Sequence, residues 1–570
     1  MKLLDMTVQN FRCISGDKTR ISFQDSEIIF IFGQNNAGKS AMLAAYEYLV
    51  TPNQFAVIND FCGFTEEKPI EMTAIFMKEE GDETEFKKKG FNKWVDGDGI
   101  IRFRKTWTKV GVAGQKETWD PVEEKFIDNG FGGIESHFKS QAPTPIRISA
   151  MSSPEELSKW VNDVMKKSIL KTLKDEEAEA YQKVVDEIKR LQERVLSKEA
   201  ITKLSEKANI NFQKVFPNLL LEVSTEVGSE IDVSKTIEKE FSVTVKDQKH
   251  ENISQKVTDF GHGVVRQTMF NILGLVKQEA PIDNMVQTTC KKSFLILYEE
   301  PEIYLHPKAV TLLRTALYEL CVNSPFQILC ASHSPLLIDI SKPHTSLVRM
   351  VKNDDSITNI YQVGHNIFST TEEIKQQVQM INRFNPHVCE SFFADEIIIV
   401  EGDTEAIVVR ELLASVAPEK DIFVLNAGSK NNIPFFQQIF THFNIKHQII
   451  HDGDSRYLYD TNGIVKTNQD GINRKNSAWS LNETIWEGVL AAQAVRADLA
   501  RRYVSIPNFE SSHNYVYDSE KGKPLSAFEF VKGLNPEGSA PIQMFVKSIV
   551  GLEEIKMEFT QDELEKLITI

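Results

Sequence analysis

Two groups of residues in this chain have the types and spacing to do chemistry. The first begins with Gly33-Gln34-Asn35-Asn36-Ala37-Gly38-Lys39-Ser40, which fits G-x-x-x-x-G-K-[ST]. In such a loop the glycines let backbone N–H groups, here around Asn35, Asn36 and Gly38, wrap phosphates at a helix N-terminus. Lys39 is then placed to reach the β and γ oxygens, and Ser40 to hold Mg²⁺. Far downstream the apolar run Phe294–Tyr298 ends in Glu299-Glu300-Pro301-Glu302. A buried strand that delivers two carboxylates suits an ion and an attacking water, with Glu299 assigned to Mg²⁺ and Glu300 to the water. His333, closing the run from Gln327, is placed to contact a γ-phosphate. The second group is acidic. Glu401 closes the apolar run Ile397–Val400 and Glu405 falls in the first turn of the helix that follows. Asp452 and Asp454 follow Gln448-Ile449-Ile450 and, alternating by two, are expected on one side of the chain. Four such carboxylates repel one another unless a divalent cation neutralises them, and hard oxygen ligands favour Mg²⁺ or Mn²⁺ over zinc. Asp403 is read as the helix N-cap rather than a ligand.

These groups need strands and helices to position them, and the chain supplies an α/β grammar. Ile28–Phe32 is a continuous apolar run, as in a strand buried on both faces, and Ala41–Leu49 reads as the helix after the loop. The rest of residues 1–152 reads as strands and turns. From Ser153 to about Phe216 the composition becomes long, charged helix, with Tyr181, Val184, Ile188, Leu191 and Val195 stepping by three and four. Two heptads are short for a coiled coil, so 153–250 is expected to be a packed helical insertion, with a dimerising arm as the alternative. The strand–helix alternation returns over 251–352, a polar helical connector is expected over 353–392, and a second α/β domain over 393–570. No repeat or low-complexity tract stands out.

Composition narrows the partners. Of 570 residues, 65 are Lys or Arg and 81 Asp or Glu, a net charge of −16, so nucleic acid must be met by a local basic groove or by bound ions. Candidate clusters are Lys87-Lys88-Lys89, Arg102-Phe103-Arg104-Lys105 and Arg501-Arg502, with a solvated face as the alternative for each. Six cysteines without C-x-x-C pairs argue against a disulfide framework or zinc ribbon and fit a reducing cytoplasm. No apolar stretch reaches a membrane span, and Met1–Asp5 has no signal-peptide character.

Asn10-Phe11-Arg12, the G-x-x-x-x-G-K-S loop, E-E-P-E-x-x-L-H-P over Glu299–Pro307 and Ser332-His333-Ser334-Pro335 resemble the ABC-type ATPases of the SMC and RecF group. That resemblance makes Gly261-His262-Gly263-Val264-Val265-Arg266 the signature loop, with Gly261, Gly263 and Arg266 facing ATP held by a partner subunit. Phe260 in place of the usual serine, and Glu299 in place of aspartate, imply ATP acting more as a clamp than as fuel. The glutamate followed by D-x-D resembles a TOPRIM domain. Behind an ABC-type ATPase it resembles the OLD (overcoming lysogenization defect) family of nucleases, over essentially the whole chain.

The resemblance implies a Rossmann-like parallel sheet, ATP and Mg²⁺ or Mn²⁺ as cofactors, and an ATP-gated endonuclease of anti-phage defence. Two ions would straddle one phosphodiester. Val424–Lys430 matches the family's glycine turn, Glu510 in Ile506–Glu510 the segment supplying another metal-binding glutamate, and Lys523 the lysine near the scissile phosphate. Implied partners are double-stranded DNA, a second copy through the ATPase domain or a tetramer, and a helicase-like protein or a reverse transcriptase with its DNA product. The rival readings are a non-cleaving SMC-like clamp, a TOPRIM ribonuclease acting on RNA or tRNA, and a topoisomerase. The last needs a nucleophilic tyrosine, for which Tyr457 and Tyr459 are the nearest residues.

Overall fold

The structure is a computed structural model. It describes residues 1–150 apart from 80–81, 83–89, 129–137, 139–140 and two single positions. It also describes short pieces between 205 and 271, and 293–570 apart from 340–344, 365–385, 461–462, 536–537, 554–557, 569–570 and two single positions. The chain forms two compact units, Met1–Ile360 and Tyr361–Ile570.

In the first unit the strands are β1 (Lys2–Gln9), β2 (Arg20–Ser22), β3 (Ile28–Gly33), β4 (Ile70–Met77), β5 (Ile100–Trp107), β6 (Gln115–Asp120), β7 (Lys125–Asp128) and β8 (Thr144–Ile148). They continue as β9 (Leu219–Thr225), β10 (Phe241–Asp247), β11 (Ser254–Lys256), β12 (Phe294–Glu299), β13 (Phe326–Ala331), β14 (Thr345–Lys352) and β15 (Thr358–Val363). Helix α1 spans Lys39–Val50 and α2 Pro307–Cys321. One sheet runs β15-β14-β3-β13-β12-β8, with β3 parallel to both neighbours. Ile28–Phe32 are all buried, which is why that strand reads as an unbroken apolar run. The other large sheet, β2-β1-β4-β5-β6-β7, is antiparallel, and its β4 buries Met72, Ala74 and Phe76 while the intervening residues face outward. Helix α1 buries Met42, Leu43, Ala45, Tyr46 and Leu49 in the core shared by these sheets. In the E-E-P-E-x-x-L-H-P string, His306 caps α2, its ring accepting from the Lys308 N–H, and Pro307 opens the helix.

Two expectations change here. Within 153–250, β9 and β10 pair antiparallel and are joined by β11 just beyond, because Leu219–Thr225 and Phe241–Asp247 carry β-favouring residues rather than a helical stripe. The Tyr181–Val195 seam, Lys87–Lys89, His262 and Arg266 lie outside the described residues. Within 353–392, Thr358–Val363 is not helical connector but the strand β15 at the sheet edge, and residues 365–385 are outside the description.

The second unit has strands β16 (Glu396–Val400), β17 (Ile422–Asn426), β18 (Lys446–Asp452) and β19 (Ala500–Ser505) in one parallel sheet ordered β17-β16-β18-β19. Its helices are α3 (Asp403–Val416), α4 (Ile433–His442), α5 (Ser477–Val495), α6 (Phe509–His513), α7 (Gly522–Lys532), α8 (Pro541–Ile549) and α9 (Gln561–Ile568). Ile397–Val400 are fully buried, and Val408, Val409, Phe545 and Val546 pack in the same core region. Arg502, expected on a phosphate-tracking or solvated face, is instead 0% exposed. It donates to the carbonyls of Asn482 and Phe559 and lies over the Trp486 ring, so its charge is internal.

Residues 456–476, between β18 and α5, hold a short repeat. Asp460-x-x-Gly463-Ile464-x-Lys466 recurs eight residues on as Asn468-x-x-Gly471-Ile472-x-Arg474. Asp460 and Asn468 each accept the Ile N–H four residues later, and Gly463 and Gly471 both sit at φ 78°. Leu458, Lys466 and Arg474 close a backbone ring: Lys466 N–H donates to Leu458 (2.8 Å), Arg474 N–H to Lys466 (2.8 Å) and Leu458 N–H to Arg474 (3.0 Å). The expectation of no repeat therefore fails locally. The repeat has polar turns and no apolar period, so hydrophobic patterning does not reveal it.

Candidate functional site

The phosphate loop is built by backbone geometry. Gly33 ends β3 at φ 137°, and a Cβ there would lie 2.0 Å from the Met350 carbonyl oxygen on β14, so glycine is the residue that fits. Asn36 (φ 63°) and Gly38 (φ 115°) turn the chain into α1, with Gly38 at its N-cap and Ser40 in its first turn. Lys39 is buried; its Nζ donates to the carbonyls of Gly33 (2.8 Å) and Gln34 (2.9 Å), inside the loop. Burial brings its ammonium down to about 8, against the opposing pull of Glu300 and Glu302.

The register of the parallel strands places the rest beside it. Glu299 pairs with Ala331, and Ala331 with Ile31, so β12, β13 and β3 end at one carboxyl edge. Glu300 follows in the left-handed region (φ 44°), its N–H donating to the Ala331 carbonyl. Its Oε1 is 3.8 Å from His333 Nε2, while the His333 N–H donates to Glu302 Oε1 (2.7 Å). Burial, then Lys39, lowers the His333 pKa. Glu300, Glu302 and His333 thus gather around Lys39. Glu299 instead meets Arg147 of β8 (3.2 Å), which also holds Glu47 of α1 (3.0 Å). Of the signature loop, Gly261 and Gly263 are described; a Cβ on Gly263 would be 2.8 Å from the Tyr304 carbonyl oxygen. Asn35 lies exposed on the loop between the strand and α1.

In the second unit the same edge of a parallel sheet carries carboxylates. Val400 pairs with Ile450, and Asp452 with Ser505, so Glu401, Asp452 and the α6 segment bearing Glu510 lie at neighbouring strand ends. Asp452 N–H reaches Glu401 Oε2 (3.3 Å), and Asp452 Oδ1 accepts from Phe509 N–H (2.8 Å). Glu405 lies in the first turn of α3, near Gly402. Burial, then Glu401, Glu405, Asp454 and Glu510, pushes the Asp452 carboxyl up to about 8. Burial also raises Glu401, with Asp454 and Glu510 adding and Lys430 opposing. It raises Glu405 as well, with Glu401 and Glu510 adding and Lys523 opposing. Asp452 thus feels the other four carboxylates, and Glu405 feels Lys523.

Two details differ from expectation. Asp454 is not a continuation of the strand alternation; it sits at φ 58° in the turn beyond β18, its N–H donating to the Pro507 carbonyl. Asp403 is not the N-cap, which is Gly402; its carboxylate accepts from Asn426 Nδ2 (2.7 Å). Tyr457 and Tyr459 belong to the repeat at 456–476.

The residue that pattern reading missed is Lys430. It is 3% exposed, and its Nζ donates to the Asp452 carbonyl (2.6 Å) and to Asp454 Oδ2 (2.5 Å). The available signal was a lone lysine in Gly428-Ser429-Lys430-Asn431, between an apolar strand and an apolar helix. Among the described residues no group of three or more His, Cys, Asp or Glu side chains stands close enough together to hold a metal ion. Asp452 and Asp454 each have an oxygen engaged, by Phe509 and by Lys430. The donor chemistry nevertheless fits divalent ions: neighbouring half-buried carboxylates such as Glu401, Glu405 and Asp452 that raise one another are relieved by a hard cation. Of the other basic candidates, Arg102 pairs with Asp96 and Arg104 with Glu117, Lys105 donates to the carbonyls of Tyr48 and Thr51, and Arg501 is exposed.

Residues 1–338 match the AAA ATPase domain family, and residues 392–454 the "overcoming lysogenization defect protein-like, TOPRIM domain". The Old nuclease of Escherichia phage P2 is 22% identical over 548 residues, covering 91% of this chain and 89% of that protein. The endonuclease GajA of Bacillus cereus is 21% identical over 449 residues, 75% of this chain and 71% of that one. Among solved structures, the Smc head domain with an extended coiled coil derived from Pyrococcus furiosus is similar at 11% identity. It covers 66% of this chain and 99% of that one, with a TM-score of 0.40. No helix among the described residues is long and apolar enough to cross a membrane.

Proposed function

From a chain that belongs to the AAA ATPase domain family and carries an OLD-like TOPRIM domain, and so is a nuclease of the OLD family, we infer a divalent-metal-dependent DNA endonuclease gated by ATP. The observation that carries this reading is geometric: parallel β16 and β18 end side by side with the Asp452 N–H on Glu401 Oε2 (3.3 Å), Glu405 in the first turn of α3 and Glu510 in α6 beyond β19. A non-cleaving clamp leaves that costly cluster without a purpose.

Glu401, Glu405, Asp452, Asp454 and Glu510 would hold the ions. Once bound, Mg²⁺ or Mn²⁺ supplies an activated water and neutralises the leaving oxygen. Lys430 keeps Asp454 turned toward the β18 end. Lys523, at the start of α7, offsets charge that develops on the phosphate. In the first unit the loop N–H groups, Lys39 and Ser40 would hold the ATP phosphates and Mg²⁺, Glu300 would orient the water and His333 would meet the γ-phosphate; Glu299, paired with Arg147, would serve the ion only on release of that pair. A second copy completes that site through Gly261, Gly263 and Arg266. The setting that fits is anti-phage defence.

The test is plasmid cleavage by the full chain in Mn²⁺, Mg²⁺ and EDTA, with Asp452→Asn and Glu401→Gln beside it. Losing several kcal/mol of ion-derived stabilisation predicts roughly a thousandfold drop for either variant, with nucleotide affinity unchanged. Cleavage that persists in EDTA, or equal cleavage by Asp452→Asn, ends this reading.

A further inference from the structure

The repeat at 456–476 is a finger rooted in the acidic site. Its first residue, Arg456, lies two positions past Asp454, a chain distance of at most about 7 Å. Its base is closed by Asn476 N–H donating to the Arg456 carbonyl (3.0 Å). Asn476 then caps α5, and Asn482 of that helix donates to the Gly453 carbonyl (2.8 Å). Both ends of the finger are therefore tied to the D-x-D turn.

Its surface is unlike the rest of this acidic chain. Arg456, Lys466, Arg474 and Lys475 stand against two carboxylates, and none of the four forms an ion pair among the described residues. Of those carboxylates Asp460 accepts a turn N–H, and Asp470 lies exposed near the second tip. The contrast with Arg102, Arg104 and Arg502, whose charges are met internally, is direct. Lys466 and Arg474 are equivalent members of the backbone ring, so the repeat fixes where two cations emerge. The equivalent tips present Ile464 and Ile472, 65% and 64% exposed. Two large apolar side chains held out at matching positions cost hydration unless something covers them.

We propose that this finger grips the DNA duplex cut at the acidic site, with Lys466, Arg474 and Lys475 on backbone phosphates and the two isoleucine tips pressed into a groove. Cations beside an apolar wedge match what a duplex offers: a polyanionic backbone flanking stacked bases that an isoleucine can enter. The proposal rests on the nuclease reading and supplies the local basic surface that a chain of charge −16 needs.

The experiment compares the full chain with Lys466→Ala/Arg474→Ala/Lys475→Ala and, separately, Ile464→Ser/Ile472→Ser, with unchanged melting temperatures as the folding control. Binding of a fluorescent DNA duplex is measured in EDTA across a salt series, and cleavage in Mn²⁺. The triple variant is expected to bind about 10- to 100-fold more weakly, with a log–log salt slope shallower by roughly two to three. The isoleucine variant is expected to bind several-fold more weakly at an unchanged slope, and cleavage of dilute duplex to fall in step for both. Equal affinity and slope in the triple variant overturn the finger and leave the nuclease reading intact. A wild-type chain that cuts nothing overturns that reading, and the EDTA binding series still decides the finger.

Discussion

The two units use the same place in the topology for opposite charges. Each site lies past the carboxyl ends of parallel strands, yet one offers donors and the other acceptors. The phosphate loop is made by backbone, with Gly33 and Gly38 at positive φ and Lys39 tied to its own loop carbonyls. The acidic site is made by side chains, and those side chains oppose one another. A backbone-built site persists without its ligand. A side-chain-built site of like charges is strained by itself and draws stability from what binds.

The largest test of that contrast is Lys39→Ala. Losing a buried ammonium worth roughly 3 kcal/mol to phosphate should weaken nucleotide binding about a hundredfold, read by calorimetry, while leaving Mn²⁺ affinity untouched. Equal nucleotide affinity would remove Lys39 from the site. Next is Lys430→Met, which deprives Asp454 of its partner. The Mn²⁺ midpoint for cleavage and for binding should shift by about 10- to 100-fold, as for other outer-shell contacts. A midpoint that does not move would make Lys430 ordinary packing.

The smallest effect concerns acid. Burial lowers both His447 and His513 to about 4, from the ordinary 6.5. In the folded second unit they stay neutral where the unfolded chain takes up protons. Their contribution is thus complete above about pH 6.5 and is lost as pH falls toward 4, at roughly 1.4 kcal/mol per pH unit for each. Melting curves of the full chain from pH 7 to 5 should show the second unit failing first, with a shallower pH slope in His447→Gln. An identical slope in that variant would place the sensitivity elsewhere.

Much of both sites was legible. Strands buried on two faces are continuous apolar runs, and glycine, lysine and carboxylate positions at their ends follow from the chemistry. The misses have physical causes. Glu299 and Glu300 are adjacent letters, but the turn at Glu300 sends one toward Arg147 and the other toward Lys39. Asp454 joins the site through a left-handed turn that a two-residue alternation does not describe. Lys430 reads as a solvated loop residue because its carbonyl and carboxylate partners are more than twenty residues away. Arg502 reads as surface because its neutralising contacts come from α5 and the segment before α9.

The placement of β3 sets an order of assembly. Ile28 pairs with Ile328 on one side and with Thr345 on the other, so the strand bearing the phosphate loop waits for neighbours synthesised some three hundred residues later. An early fragment of this chain holds the complete G-x-x-x-x-G-K-S string and still lacks the walls that shape it. Nucleotide competence is thereby withheld from a nascent or broken chain until both flanking strands have been made.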